Sequence, residues 1–195
     1  MDRTGAVTRA VADFADRFLR GRADDRAVCV ALSGGADSLA LTVAALRAGL
    51  QVTALVVDHG LQRHSGDVAE AAATEAETLG ARARVLPVTV GTDGGMEAAA
   101  RSARYAALDE ARGDRPVLLA HTMDDQAETV LLGLARGSGS RSLAGMRAWR
   151  DPWGRPLLGL RRRDTLAVCA ENGLAPHRDP HNRDPRFTRV RLRSE

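Results

Sequence analysis

The chain has 195 residues, 44% of them hydrophobic, and a formal charge of +3 at pH 7, which supports one substantial core and a single domain. No apolar run reaches the roughly twenty residues of a membrane span, and the N-terminus has acidic residues and no secretory core, so a cytoplasmic protein without a membrane partner is expected. Three Phe, two Trp and one Tyr leave the core to Ala, Val and Leu, and Cys29 and Cys169, far apart in apolar surroundings, read as reduced, buried thiols.

In chain order, Val7, Val11, Phe14, Phe18 and Leu19 have helical spacing over 6–20. A strand over 28–32 follows and runs through Ser33, Gly34, Gly35, Ala36, Asp37 and Ser38 into a helix over 38–48. The pattern then predicts a strand at 51–57, a helix at 66–79, a strand at 82–88, a helix at 96–112, a strand at 116–120 and a helix at 123–135. Gly49, Gly80 and Gly113 fall where three of these helices stop. A last helix over 165–172 has Asp164 as its cap and Gly173 as its stop, and its expected role is packing. The alternation predicts an α/β fold, a Rossmann-like parallel sheet with helices on both faces. Residues 1–25 are expected to form an N-terminal helix packed on the core, 26–160 the core itself, and 161–195 an arginine-rich, helical part of the same domain.

A strand, a glycine turn and a helix N-terminus together form a geometry that holds a phosphate, although a plain strand-to-helix turn has the same composition. A Walker loop requires a lysine, and all 28 basic side chains here are arginine. A dinucleotide fingerprint requires Gly-x-Gly-x-x-Gly, whereas Gly34 and Gly35 are adjacent. The remaining pattern, Ser-Gly-Gly-x-Asp-Ser, resembles the pyrophosphate loop (PP-loop) of the ATP-pyrophosphatase synthetases. That group has the adenine nucleotide alpha hydrolase-like fold and cleaves ATP to AMP and pyrophosphate while adenylating a substrate oxygen.

Ligands of such sheets bind beyond the C-terminal ends of the strands, and the residues there are polar. Asp58, His59 and Gly60 follow one strand, and His121 to Thr129 follow another. In a helix starting near Met123, Asp125 and Glu128 share a face that His121 can reach. This set suits a hard cation carrying phosphates or the ammonium of an incoming amine; the acids could also simply complement the helix dipole. Arginines gather at 161–163 and again at Arg178, Arg183, Arg186, Arg189, Arg191 and Arg193, as a solvated basic face or as contacts to a phosphate-rich partner. Arg136 to Gly139 read as a substrate-holding loop or a flexible link.

The motifs from Ser33–Ser38 through Val57-Asp58-His59-Gly60-Leu61, Glu97 with Arg101, Arg104 and Tyr105, and His121 to Thr129 resemble, in their order, the tRNA(Ile)-lysidine synthetase family. Leu134, Arg136, Gly137, Ser138, Gly139, Leu143, Gly145, Met146, Arg155-Pro156-Leu157-Leu158 and Asp179-Pro180-His181-Asn182 extend the likeness across about residues 26–193. The chain departs from that pattern at Leu174 to His177, where an aromatic residue is expected, and at Val190, where asparagine is common.

The resemblance implies ATP and Mg2+ as cofactors, with L-lysine and an isoleucine tRNA bearing a CAU anticodon as partners. It places ATP's phosphates on Ser33, Gly34, Gly35, Ala36, Asp37 and Ser38, with Asp58 and His59 near the nucleotide. Asp37, His121, Asp125, Glu128 and Arg101 are the implied catalytic residues, Asp37 and Asp125 the metal ligands, and Arg136, Gly137, Arg189 and Arg191 the contacts to tRNA. It also implies tRNA-gripping segments downstream, which a sequence ending at Glu195 is expected to lack, and it leaves a homodimer open. The alternatives are a PP-loop tRNA thiolase of the 2-thiocytidine type, disfavoured by the absence of Cys-x-x-Cys, and a non-catalytic nucleotide- or RNA-binding fragment.

Overall fold

The computed structural model describes residues 2–22, 24–61, 64–91, 95–135 and 144–177. Its elements are α1 (Arg3–Phe18), β1 (Ala27–Leu32), α2 (Ala36–Arg47), β2 (Gln51–Asp58), α3 (Ser65–Thr78) and β3 (Arg82–Pro87). They continue with α4 (Met96–Ala111), β4 (Val117–Leu118), α5 (Met123–Ala135), β5 (Trp149–Arg150), β6 (Trp153–Gly154) and α6 (Arg162–Glu171). No helix among the described residues is long and apolar enough to cross a membrane.

The six strands are ordered β3-β2-β1-β4-β6-β5. All neighbouring pairs are parallel except β5 with β6, which form a short antiparallel hairpin. The chain therefore steps outward from β1 through α2 and α3, then returns along α4 to place β4 on the other side of β1. That reversal makes the β1/β4 boundary the topological switch point, where a crevice opens beyond the strand ends.

The central strands are apolar along their length because both faces of the sheet are covered. Val28, Val30 and Leu32 of β1 enter a large cluster with α1, α2, α3 and α6. Cys29 points the other way, into a cluster with Leu55, Leu108, Val117 and Leu119, against which Tyr105 and Trp153 pack. Aliphatic side chains carry the core, as the composition predicts; Leu19, Leu39, Leu41, Leu55, Leu108, Leu118 and Leu157 are fully buried. Each contributes roughly 2 kcal/mol through area removed from water.

The element boundaries depart from the predicted ones for local reasons. Asp2 caps α1 by accepting the Gly5 N–H at 2.8 Å, so the helix begins three residues earlier than its apolar spacing indicates. The α1 N-terminus is capped a second time from across the molecule, by Glu171 of α6. Its carboxylate accepts the N–H groups of Arg3 (3.0 Å) and Thr4 (2.8 Å) and the Thr4 hydroxyl (2.6 Å). These bonds hold the Glu171 carboxyl down to about 2, the Thr4 hydroxyl contributing most.

Helix α6 starts at Arg162, not Thr165. Arg161 is its N-cap, and Asp164, the residue predicted as the cap, sits inside the first turn and reaches back to the Arg161 N–H at 3.0 Å. The β5–β6 hairpin is absent from the sequence prediction because its two-residue strands lie among Arg147, Arg150, Asp151 and Pro152, without the apolar run that marks the equally short β4. Beside it, Gly154 lets α1 approach closely: a methyl group there would lie 2.7 Å from Phe14 Cζ and 2.9 Å from Leu118 Cδ2.

Candidate active site

The turn after β1 is built by two glycines and two serines. Gly34 has φ +73°, and a Cβ on it would also come within 3.2 Å of Ala72 Cβ, so both backbone conformation and space require glycine. Ser38 is buried; its hydroxyl donates to the Gly35 carbonyl (2.9 Å), accepts the Ser33 N–H (3.2 Å) and lies 3.2 Å from the Ser33 hydroxyl. Ser38 thus shapes the turn from beneath, while Ser33 is exposed. The His177 N–H fastens the turn from outside by donating to the Gly34 carbonyl at 2.9 Å. Gly35 is the N-cap of α2 and supplies no side-chain acceptor to the first-turn amides. An uncapped N-terminus with its positive dipole end at the mouth of the switch-point crevice is suited to an anion.

Opposite this turn stand acids from two helices, joined by one guanidinium. Arg162, the first residue of α6, places Nε 3.2 Å from Asp37 Oδ2 and Nη2 3.0 Å from Asp125 Oδ1. The Thr165 hydroxyl donates to the other Asp37 oxygen. The second oxygen of Asp125 accepts the Thr122 N–H (2.8 Å) and hydroxyl (2.9 Å), which starts α5 and fixes the carboxylate. Asp124 accepts the Arg162 N–H at 2.8 Å, and the Met123 N–H donates to the Leu160 carbonyl at 2.8 Å, so the first turns of α5 and α6 are stitched together.

Burial pushes the Asp37 carboxyl above its usual range; the Thr165 and Arg162 contacts oppose this and the Asp125 charge adds to it. Glu128, one turn further along α5 and 9% exposed, acts with Asp37 and Asp125 on Arg162, whose pKa is raised against the effect of burial. Asp37, Asp125 and Glu128 therefore form one electrostatic group around Arg162.

A histidine and arginine group borders these acids. Burial, then the charges of Arg155, Arg101 and Arg104, push His121 down to about 4, with Asp125 opposing. Its Nδ1 is buried with no hydrogen-bond partner among the described residues. The ring is neutral at pH 7. His59 is also lowered, by burial and then Arg104, while Asp58 is lowered by the Ser65 hydroxyl and the Gly60 N–H, 3.0 Å from Oδ1. Arg101 lies over the Tyr105 ring, 4.9 Å from its centroid, and Tyr105 meets Trp153 edge-on at 4.8 Å, forming a ladder from α4 to β6.

His121 links this site to stability. Unfolded, the imidazole titrates near 6.5, and folded it titrates near 4. Between these values the unfolded chain binds more protons, so stability is intact above about pH 6.5 and falls with pH, the loss reaching up to about 3 kcal/mol near pH 4. Urea unfolding at about pH 7.5 and 4.5 should show the drop, and His121→Asn should remove much of it; the same drop in both proteins would mean that His121 is not held neutral.

The structure brings together the predicted Asp37, Asp125, Glu128, His121 and Arg101 at the switch point, and it places Asp58 and His59 at the end of the neighbouring strand. Arg136, Gly137, Arg189 and Arg191 lie outside the described residues. No group of three metal-capable side chains occurs among the described residues. Asp37 and Asp125 form a pair with a guanidinium between them. Sequence reasoning missed Arg162, Thr165 and Asp124: the first belongs to an arginine triplet read as a basic run, and the second to a helix read as packing.

A parallel sheet with a glycine turn and an uncapped helix at its switch point, faced by acids from the helix after the next strand, is the architecture of an α/β domain suited to holding phosphate. A family model described as a PP-loop domain matches residues 6–195, and the chain belongs to that family. The tRNA(Ile)-lysidine synthase of Nocardia farcinica is 70% identical over 170 residues, covering 87% of this chain and 54% of that protein. The protein of that name from Mycobacterium bovis is 61% identical over 198 residues, covering 100% of this chain and 60% of the relative. The chain thus spans between half and two thirds of the length of these curated relatives.

Among solved structures, the U34-tRNA thiolase NcsA from Methanococcus maripaludis with its 4Fe-4S cluster matches with a TM-score of 0.76 at 18% identity, covering 98% of this chain and 71% of that one. An NMN synthetase from Francisella tularensis matches with a TM-score of 0.56 at 16% identity, covering 88% and 71%. These likenesses show a shared fold.

Proposed function

We propose that the chain is the catalytic part of a tRNA(Ile)-lysidine synthetase. It adenylates the C2 oxygen of the wobble cytidine of an isoleucine tRNA with a CAU anticodon, releasing pyrophosphate from ATP. L-Lysine then attacks C2, the C2–O bond breaks, and AMP leaves as the amine gives up a proton. The observation that carries this reading is the Asp37–Arg162–Asp125 bridge, which joins the phosphate-binding turn to the acids on α5 in one cluster. The high identity to relatives bearing that name supports it.

In this reading the α2 amides receive the phosphates and stabilise charge as pyrophosphate leaves. Mg2+ usually takes one or two carboxylates and completes its shell with phosphate oxygens and water; Asp37 and Asp125 have the donor chemistry to hold it, but their oxygens are engaged by Arg162, Thr165 and Thr122, so they would hold it only with Arg162 displaced from between them, and a bound Mg2+ would neutralise the leaving group. Glu128 attracts the lysine ammonium, and neutral His121 accepts a hydrogen bond from the amine without adding positive charge. Arg101 steadies the nucleotide or RNA phosphate.

Sulfur transfer finds no support in the chain's cysteines. Cys29 and Cys169 are the only two, both are buried, and they belong to different core clusters. The test is mass spectrometry of an isoleucine tRNA with a CAU anticodon after incubation with ATP, Mg2+, lysine and this chain. A lysine-sized gain is expected; no gain would sink the proposal for this chain, and a sulfur-sized gain would favour a thiolase.

A further inference from the structure

A hollow of about 540 Å³ opens beside the candidate site, lined by Gly145, Met146, Arg147, Arg150 and Arg155. Three of these five residues are arginines and none is acidic. The nearby acid of the hairpin turn, Asp151, is committed elsewhere, its Oδ1 2.9 Å from Arg22 Nη1. Cations gathered without carboxylates repel one another, and an anion among them removes that cost.

The walls are held in place. Gln126 clasps both main-chain groups of Met146, accepting its N–H at 2.6 Å and donating to its carbonyl at 2.9 Å. Gly145 has φ +59°, and a Cβ there would lie 2.8 Å from the Gln126 carboxamide, so the main chain runs tightly along α5. Arg155 is anchored by its N–H to the Ala148 carbonyl (2.8 Å) and by Nη1 to the Arg147 carbonyl (3.2 Å). Its Nε is buried with no hydrogen-bond partner among the described residues. Arg155 also joins the two places, since it lines the hollow and is the strongest charge acting on His121.

We propose that this hollow binds a backbone phosphate of the RNA strand whose base enters the neighbouring site. The proposal rests on the functional reading above and adds to it the surface that holds the strand. The α2 N-terminus already provides a site for nucleotide phosphates. A second basic site, joined to His121 through Arg155, suits the phosphodiester flanking a base presented there, because arginine reads a phosphate with its fixed fork of donors.

The test uses the chain with Arg147 and Arg150 replaced together by alanine, and separately by lysine. Binding of a fluorescent anticodon stem-loop of isoleucine tRNA is followed by anisotropy across a salt series, ATP binding is measured in parallel, and circular dichroism checks folding. Both sites lie on exposed positions, which the fold tolerates. The alanine variant is expected to bind RNA roughly tenfold more weakly, with a slope of log K against log salt shallower by one to two, and to bind ATP as before. The lysine variant should recover most of the slope. Unchanged RNA affinity and slope in the alanine variant, while the parent binds RNA, overturns the site and leaves the functional reading standing. A loss confined to ATP assigns the hollow to free nucleotide and overturns it too. A parent that binds no RNA overturns both.

Discussion

Asp37→Asn is expected to reduce lysine-independent exchange of labelled pyrophosphate into ATP, on the cognate tRNA, by at least about 100-fold. The substitution keeps the shape of the side chain and an acceptor for the Thr165 hydroxyl, but it removes the negative charge from the first turn beside the phosphate-binding amides. Burial disfavours that charge in the folded protein, as the raised pKa shows. Neutralising it should therefore leave the melting temperature within a few degrees of the parent, so lost exchange cannot be ascribed to unfolding. Exchange at the parental rate would remove Asp37 from the adenylation step.

Arg162→Ala tests the bridge itself. Removing one guanidinium leaves Asp37 and Asp125 facing each other with no cation between them. Breaking a fully buried pair in this way costs about 3–5 kcal/mol, but 31% of the Arg162 side chain is exposed and solvent screens part of the repulsion. A loss of about 1–3 kcal/mol in urea unfolding is expected, together with a drop in pyrophosphate exchange of at least tenfold. Helix α6 itself should remain, because Asp124 holds the Arg162 main-chain N–H rather than its side chain. Arg162→Lys should restore only part of both properties, since a single ammonium cannot reach two carboxylates with a planar fork. If lysine restores everything, the bridge is a point charge and its geometry carries no role.

Most of the sheet was legible because β1 is a continuous apolar run, because β2 is apolar from Val52 to Val57 except at Thr53, and because Gly49, Gly80 and Gly113 stop helices where the spacing says they should. The turn from Ser33 to Ser38 was legible for the same reason: it is local, and its residues are consecutive. What was not legible depends on docking. Arg162 sits in a run of three arginines, and which of them turns inward is decided only when α6 packs on α1 and α2 and its first turn meets that of α5. Asp124 and Asp125 are adjacent acids of equal appearance; one caps the next helix and the other faces the site. Asp164 reads as a cap, yet it lies inside its helix, and the prop that Ser38 sets under the turn exists only once the loop has closed. The hairpin that carries Arg150 was invisible because its two-residue strands lack the apolar run that marks β4.

The second cap on α1 gives the site a dependence on residues that never approach it. Glu171 holds the first amides of α1, Asn172 donates to the Thr4 hydroxyl at 3.0 Å, and Arg3 reaches Asp164 at 3.2 Å. These three links run between opposite ends of the described chain and brace both ends of α6, whose opening turn supplies Arg162 and Thr165. Trimming a handful of residues from the start would leave every group in the crevice untouched and still unbrace the helix that aims two of them. The N-terminal segment is thus a remote support of the crevice, and a tag or deletion at Asp2 to Thr4 would be felt some 160 residues away along the chain.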